Sequence, residues 1–388
     1  MRILYTAFDV VPAPKGAAVR IGNMLAALAP IAEVRGIFLG EPGDDPSAPV
    51  SGVPVDRLCA PHLPFLERAV TFAEQVVATV REWQPEVVQV RSLWDGYPLA
   101  RLRANGSLDF RLVYELHGLP QFELTHHFPE VPPALLAKIA TQQAYLLAQA
   151  DALICPSNTH RDWLVAQGIA PERITVIHNG ADTERWVPAP EVLDFDIPKL
   201  IYVGTLAPWQ GLETLLEALH GITTPFSALL IGKGNPRWVS DLITRSYQLG
   251  LSHAVEVSAP LSPTLMPTLI GEAAIAVAPL DNSERNRVQG CNPIKIYEYM
   301  ACGKPVVAPD LPVIREILTP EVDSLLYPPE DVDALRAQLQ RLLTDAALRA
   351  RLGQAGRAKV VAQGQWRHAQ DRLQAFYRDF GAMPAATV

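Results

Sequence analysis

Residues 288–309 read VQGCNPIKIYEYMACGKPVVAP, and the reading of this stretch decides the fold. It parses as a loop, a helix opening at Asn292-Pro293, and Gly303 closing that helix ahead of a short buried strand, Pro305 to Ala308. Asn suits an N-cap because its side chain accepts from orphan N–H groups of the first turn. Pro at the next position has φ preset for a helix and lacks a donor the helix would not use. Bare N–H groups at the positive end of the helix dipole attract anions. Lys295 and Glu298, three residues apart, share a face and can reach one ligand. A cation for phosphate and a carboxylate for hydroxyls, beside those N–H groups, point to a sugar nucleotide. The same spacing also describes a solvated i,i+3 pair on a surface helix.

Outward from this stretch, strand-like apolar runs alternate with helix-period stretches. In the first half Ile3–Phe8, Val34–Leu39, Glu86–Val90, Leu112–Leu116, Ala152–Cys155 and Ile174–Ile177 read as strands. Ala17–Ala29, Leu66–Trp83, Pro133–Gln149 and His160–Gln167 read as helices between them. After a polar, proline-bearing segment, 181–198, the alternation restarts with Leu200–Val203, Ala228–Ile231, Ala254–Val257, Ala274–Ala278 and Val306–Ala308. This pattern predicts an α/β chain of two tandem, Rossmann-like, doubly wound domains, whose ligands sit at the carboxyl ends of the strands. The expected division is 1–180, a linker 181–198, 199–365, a last helix 366–380 and a loose tail 381–388. Helices are also expected near 331–343 and 346–362.

Composition agrees with a globular chain. Of 388 residues, 49% are hydrophobic and 19% charged, which excludes a disordered protein. A net charge of −8 argues against a nucleic-acid partner. It gives no sign of attraction to an anionic membrane, although a local basic patch remains compatible with peripheral contact. Cys59, Cys155, Cys291 and Cys302 form no C-x-x-C pair, so buried reduced thiols are expected rather than zinc ligands. No signal peptide and no 18-residue apolar span is visible, and the expected location is the cytoplasm.

The run P-x-K-x-x-E-Y-M-A-x-G-x-P-V-V-A resembles the nucleotide-sugar segment of family-4 retaining glycosyltransferases of the GT-B fold (glycosyl transferases group 1). The resemblance extends over nearly the whole chain. ITVIHNGAD, 174–182, resembles the family's hinge-side motif, with Asn179-Gly180 read as a turn needing positive φ and Asp182 as a turn or cap residue. In PAPKGAAVRIGNMLAALA, 12–29, Gly16 stands where backbone approaches the donor phosphate or the acceptor, with Lys15 and Arg20 as cations for an anionic acceptor or as solvated side chains. YELHGLP, 114–120, matches a strand-end motif that aims His117 at a sugar hydroxyl; a satisfied, partly buried His is the alternative. His126 and His127 follow on an expected loop.

Two departures stand out. In YVGTLAPWQGLETLLEAL, 202–219, Thr205 and Gln210 occupy the family's Arg and Lys positions, which neutralise the donor diphosphate. Neutral side chains there donate hydrogen bonds of roughly half the strength. Trp209 is read as a ring-stacking or a packing residue. Gly290 occupies the position of the first Glu of the family's pair, leaving Glu298 for the ribose and the N–H groups around Cys291–Ile294 for the sugar end. Lys233, in LLIGKGN (229–235), ends the strand before the nucleotide pocket.

The resemblance thus implies donor contacts at Gly16, Thr205, Gln210, Lys233, Asn292, Pro293, Ile294, Lys295 and Glu298, with His117, Lys295 and Glu298 as the catalytic set. The implied reaction moves a hexosyl group, with retention, from a nucleoside-diphosphate sugar to a hydroxyl of a glycan, a lipid-linked or a small-molecule acceptor. No D-x-D pair precedes the donor segment, so no metal is implied, and the donor is substrate rather than cofactor. A binding protein that has lost turnover, and a sugar-nucleotide epimerase on the same fold, are the competing readings.

Overall fold

The computed structural model describes residues 1–128, 130–189 and 197–382, and the chain divides into two compact units. One is Met1–His178 joined by the segment from Ala369; the other is Asn179–His368.

The first unit is a parallel sheet of β1 (Arg2–Val10), β2 (Glu33–Leu39), β3 (Val55–Leu58), β4 (Val87–Val90), β5 (Arg111–Glu115), β6 (Ala152–Cys155) and β7 (Ile174–Val176). Their order is β3-β2-β1-β4-β5-β6-β7, so the winding reverses between β1 and β4. Helices cover both faces, which is why β4 and β6 are buried at every position rather than alternately. Helix Phe65–Trp83 shows how: Ala69, Phe72, Ala73, Val76, Val80 and Trp83 recur at helical spacing and are buried.

The second unit repeats the plan with β8 (Lys199–Val203), β9 (Ser227–Ile231), β10 (Val255–Ser258), β11 (Ile275–Val277), β12 (Val306–Pro309) and β13 (Ser324–Tyr327). The order β10-β9-β8-β11-β12-β13 places its reversal between β8 and β11. Side-chain caps fix helix starts where the sequence offers them: Asp331 accepts from Ala334 N–H at 2.9 Å and Asp345 from Leu348 N–H at 2.8 Å. The last helix, Trp366–Ala382, starts in the second unit and packs in the first. There Gln374 donates to the Ala27 carbonyl at 2.9 Å and the Tyr377 hydroxyl donates to Gln89.

Several expectations need correction. Strands β3 and β13, at the edges of the two sheets, are additional to the expected ones. Helix Leu93–Ala104 was hidden by Gly96 and Pro98 inside it. His126 and His127 close a short helix, Pro120–His127, rather than lying on a loop. Ala181–Ala189 is packed on the second unit: Arg357 donates to the carbonyls of Trp186 (2.7 Å) and Thr183 (3.1 Å). Residues 190–196 of the expected linker and 383–388 of the expected tail lie outside the described residues, while Gly381 and Ala382 belong to the last helix rather than to a loose tail. All four cysteines are free, but Cys59 is exposed and Cys291 only half-buried.

Candidate functional site

Both reversal points gather chemistry-bearing side chains at the carboxyl edge of a sheet, where open α/β sheets bind ligands. In the second unit, Thr205 and Gln210 follow β8 while Lys295 and Glu298 follow β11, so the two segments flank the same gap. Helix Ile294–Ala301 begins there, and its first N–H groups have no intrahelical acceptor. Lys295 Nζ donates to Gln210 Oε1 at 2.6 Å and to the Tyr202 hydroxyl at 3.0 Å, and sits 4.1 Å from the Tyr202 ring centroid. The Tyr202 hydroxyl in turn donates to the Thr205 carbonyl at 2.6 Å.

Burial lowers Lys295 to about 7, helped by the Arg285 guanidinium and opposed by Cys291 and Glu298. Burial likewise raises Glu298 to about 7, against the pull of Arg185 and Lys295. Both side chains keep some accessible surface, which moderates the two shifts without changing their direction. Among the described residues the Glu298 carboxylate accepts no hydrogen bond from a side chain or backbone group. A cation held on neutral acceptors and a carboxylate with open lone pairs, one turn apart, can take phosphate and hydroxyls together.

The remaining donor-side residues divide. Thr205 is exposed and Lys233 is exposed at the end of β9. Gln210 is buried and committed to Lys295, so it acts through that ammonium. Gly232 and Gly234 have a structural reason: a Cβ on them would come within 1.7 Å of the Gly204 carbonyl oxygen and 2.1 Å of that of Leu206. Asn292 is not the cap of the helix; Pro293 occupies that position, without a side-chain bond. Asn292 instead accepts from the Asn179 N–H at 2.8 Å and takes the Asn179 side-chain amide on its own carbonyl at 2.5 Å. Its Nδ2 is buried without a partner, beside Pro293 and Ile294 at the helix start.

Gly180 does not use positive φ either. A Cβ there would meet backbone atoms of Gln365 and Trp366 at 2.7 Å, so close chain approach demands glycine. Asp182 closes an Asx turn onto the N–H groups of Glu184 and Arg185. Gly290 does adopt a left-handed conformation, φ 62° and ψ 60°, and ends the single π turn Arg285–Gln289. Trp209 is a packing residue: it is buried, with the Arg285 guanidinium 5.3 Å from its ring centroid.

In the first unit Gly16 opens helix Gly16–Leu28 after β1, and His117 follows β5 at the same edge, half-buried. Lys15 is exposed and pairs with Asp9 at 3.2 Å. Arg20 is neither a solvated cation nor an acceptor ligand. It is fully buried, bound to Glu115 at 2.7 Å and to the Ile177 carbonyl at 2.8 Å. Burial alone would raise the Glu115 carboxyl, but Arg91 and Arg20, with hydrogen bonds from Arg20 and Tyr5, hold it at about 2. Arg20 thus anchors the sheet to helix Gly16–Leu28.

Sequence reasoning missed Tyr202, Arg185 and the Asn179–Asn292 exchange. Tyr202 reads as one more apolar strand residue, and the Asn pair is 113 residues apart, so no local pattern marks either. No cluster of three or more His, Cys, Asp or Glu among the described residues is placed to hold a metal ion.

Two doubly wound sheets with their polar residues at the carboxyl edges define a GT-B fold. The chain matches Glycosyltransferase Family 4 over residues 14–185 and Glycosyl transferases group 1 over residues 189–359. It is 27% identical to a glycogen synthase of Mycobacterium tuberculosis over 297 residues, 75% of this chain and 68% of that protein. Sucrose-phosphate synthase from Thermosynechococcus elongatus superposes with a TM-score of 0.82 at 20% identity, covering 98% of this chain and 100% of that one. Anabaena HepE in complex with UDP-glucose superposes with a TM-score of 0.79 at 18% identity, covering 98% and 100%. The chain belongs to the glycosyl transferases group 1, and is a glycosyltransferase of the GT-B fold.

Proposed function

We propose that this enzyme transfers a hexosyl group with retention of configuration, and without a metal ion, from a nucleoside-diphosphate sugar to a hydroxyl acceptor. The observation that carries the reading is the Lys295–Glu298 pair on the first turns of helix Ile294–Ala301, with Lys295 braced by Gln210 and Tyr202. Glu298 accepts from the ribose hydroxyls, while Lys295 and the helix N–H groups meet the diphosphate. Charge that grows on the departing phosphate is then stabilised by groups already oriented. The departing phosphate itself takes the acceptor proton on the face it leaves, so no separate carboxylate base is needed. His117, at the carboxyl edge of the first sheet, binds a sugar hydroxyl in this reading. The binding of UDP-glucose by HepE supports a nucleotide-sugar donor.

The test is a product analysis. The new glycosidic bond should have the anomeric configuration of the donor, and turnover should persist with a chelator present. An inverted product, or activity lost to chelation and restored by a divalent ion, overturns the reading. Thermal shift with UDP- and GDP-sugars identifies the donor beforehand. A second reading, nucleotide-sugar binding without turnover, is favoured by the neutral Thr205 and Gln210 and by Gly290. A silent wild type whose activity appears in a Thr205→Arg/Gln210→Lys variant would establish it.

A further inference from the structure

A diphosphate brings several negative charges, and the loop after β8 offers it none of the cations found there in the family. Thr205 and Gln210 are neutral, and Gln210 already accepts from Lys295 at 2.6 Å. Lys295 is a single ammonium, which burial leaves only partly protonated near neutral pH. Arg185 acts on Glu298 and donates to the Pro263 carbonyl at 2.8 Å. Holding a diphosphate therefore calls for one more positive group close to Lys295.

The π turn Arg285–Gln289 carries such a group. Asn286, fully buried, ties the turn to both segments that flank the gap between β8 and β11. Its side-chain amide donates to the Trp209 carbonyl at 2.8 Å and to the Asp281 carboxylate at 2.7 Å, and its Oδ1 accepts from Cys291 Sγ at 3.7 Å. Arg285, beside it and half-buried, lays its guanidinium 5.3 Å from the Trp209 ring centroid. A guanidinium set against an indole ring keeps its edge N–H groups for acceptors. Arg285 Nη1 donates to Cys291 Sγ at 3.6 Å, and the Arg285 charge acts on both Lys295 and Tyr202. Gly290 belongs to the same arrangement. It closes the turn with φ 62° and ψ 60°, a left-handed conformation that favours glycine. A glutamate there, as in the family, would strain the turn and add a carboxylate next to Cys291, where Arg285 docks. Single π turns of this kind are frequent at functional sites.

We propose that Arg285 is the second cation of the donor site, and that its guanidinium takes the donor diphosphate together with Lys295. This rests on the transferase reading above and deepens it. The departures at Thr205, Gln210 and Gly290 are then one rearrangement, in which positive charge has moved from the loop after β8 to the π turn.

The test compares UDP with uridine, and GDP with guanosine, on the full chain, by calorimetry for the diphosphates and by NMR titration for the nucleosides. For the base that binds, Arg285→Gln should weaken the diphosphate about tenfold or more, the scale of a hydrogen bond between charged groups, and leave the nucleoside within about twofold. Arg285→Lys, which keeps the charge without the planar fork, should recover part of the loss. Thr205→Arg added to Arg285→Gln should bring the diphosphate back to within about threefold of wild type, because it returns a charge-assisted donor to the loop after β8. Gly290→Glu should weaken the diphosphate more than Gly290→Ala, which carries the backbone strain without the carboxylate. Proton uptake on diphosphate binding at pH 8 should shrink in Arg285→Gln, since Lys295, relieved of the like charge and still facing Cys291 and Glu298, holds its proton more tightly in the free protein. Equal losses for diphosphate and nucleoside would show that Arg285 only packs on Trp209, and would overturn the proposal. So would a loss that neither Arg285→Lys nor Thr205→Arg reduces. Diphosphate affinity unchanged by Arg285→Gln also overturns it, and in that case the transferase reading stands. If neither UDP nor GDP binds the wild type, this inference and the transferase reading fall together.

Discussion

Lys295 carries a charge that depends on what stands before it. In the free protein burial holds it at about 7, so above neutral pH much of it is deprotonated. A diphosphate opposite the ammonium favours the charged form, so nucleotide binding at pH 8 should take up a proton. Affinity should weaken as pH rises above 7. Calorimetry in two buffers of different ionisation enthalpy measures the uptake, and Lys295→Met should remove it. Glu298, also near 7, is already largely ionised at pH 8 and contributes little there. In turnover Lys295→Met should cost about 2–4 kcal/mol of transition-state stabilisation, more in kcat than in KM, if charge grows on the leaving phosphate. Glu298→Gln should weaken nucleotide binding by about 1–3 kcal/mol with the fold intact. Unchanged affinity would return Glu298 to a helix-surface role.

At the scale of elements, the glycines separate two kinds of requirement. Gly250 has φ +70° with open space around a Cβ, so Gly250→Ala should cost about 1 kcal/mol through backbone conformation alone. Gly232 has ordinary φ but no room against the Gly204 carbonyl, so Gly232→Ala should cost more, about 1–3 kcal/mol or above, as β8 and β9 are forced apart. Urea unfolding of both variants compares the two, and equal losses would contradict the distinction. The glycine pattern near residue 232 was visible in the sequence, but its reason was not. Gly232 and Gly234 lie where neighbouring strand ends pass closely, which spacing along the chain does not reveal. The segment 288–309 fared better, because its helix, closing glycine and strand are all specified locally. Gly303 takes the left-handed conformation that ends the helix, φ +68°.

Across the whole molecule, buried groups in the two units respond to acid in opposite senses. His160 is fully buried in the first unit, and burial lowers it to about 4 from an ordinary 6.5. The unfolded chain therefore binds a proton that the native state refuses, and stability falls as pH drops from 6.5 to 4, by on the order of 3 kcal/mol. Glu115, held at about 2, extends the loss as pH falls from 4.5 towards 2. In the second unit the raised Glu298 works the other way. Its native state holds a proton more tightly than the unfolded chain, which stabilises that unit below pH 7. The first unit should therefore melt first in scanning calorimetry at pH 4–5, and His160→Phe should narrow the gap. Coincident melting of both units in wild type and variant would remove this account.

The sequence by itself determined the two-sheet plan, because a strand buried on both faces and a helix buried along one stripe leave periodic marks that neighbours can show. It likewise determined the helix start at 293–298 and its Lys and Glu, since residues three apart on a helix must share a face. What only the tertiary structure decided were the partners. That Gln210 braces Lys295, that Arg20 is spent inside the first unit on Glu115, and that Asn292 turns to Asn179 rather than capping its helix all depend on contacts between distant segments. Local periodicity records whether a residue faces inward, but not what meets it there.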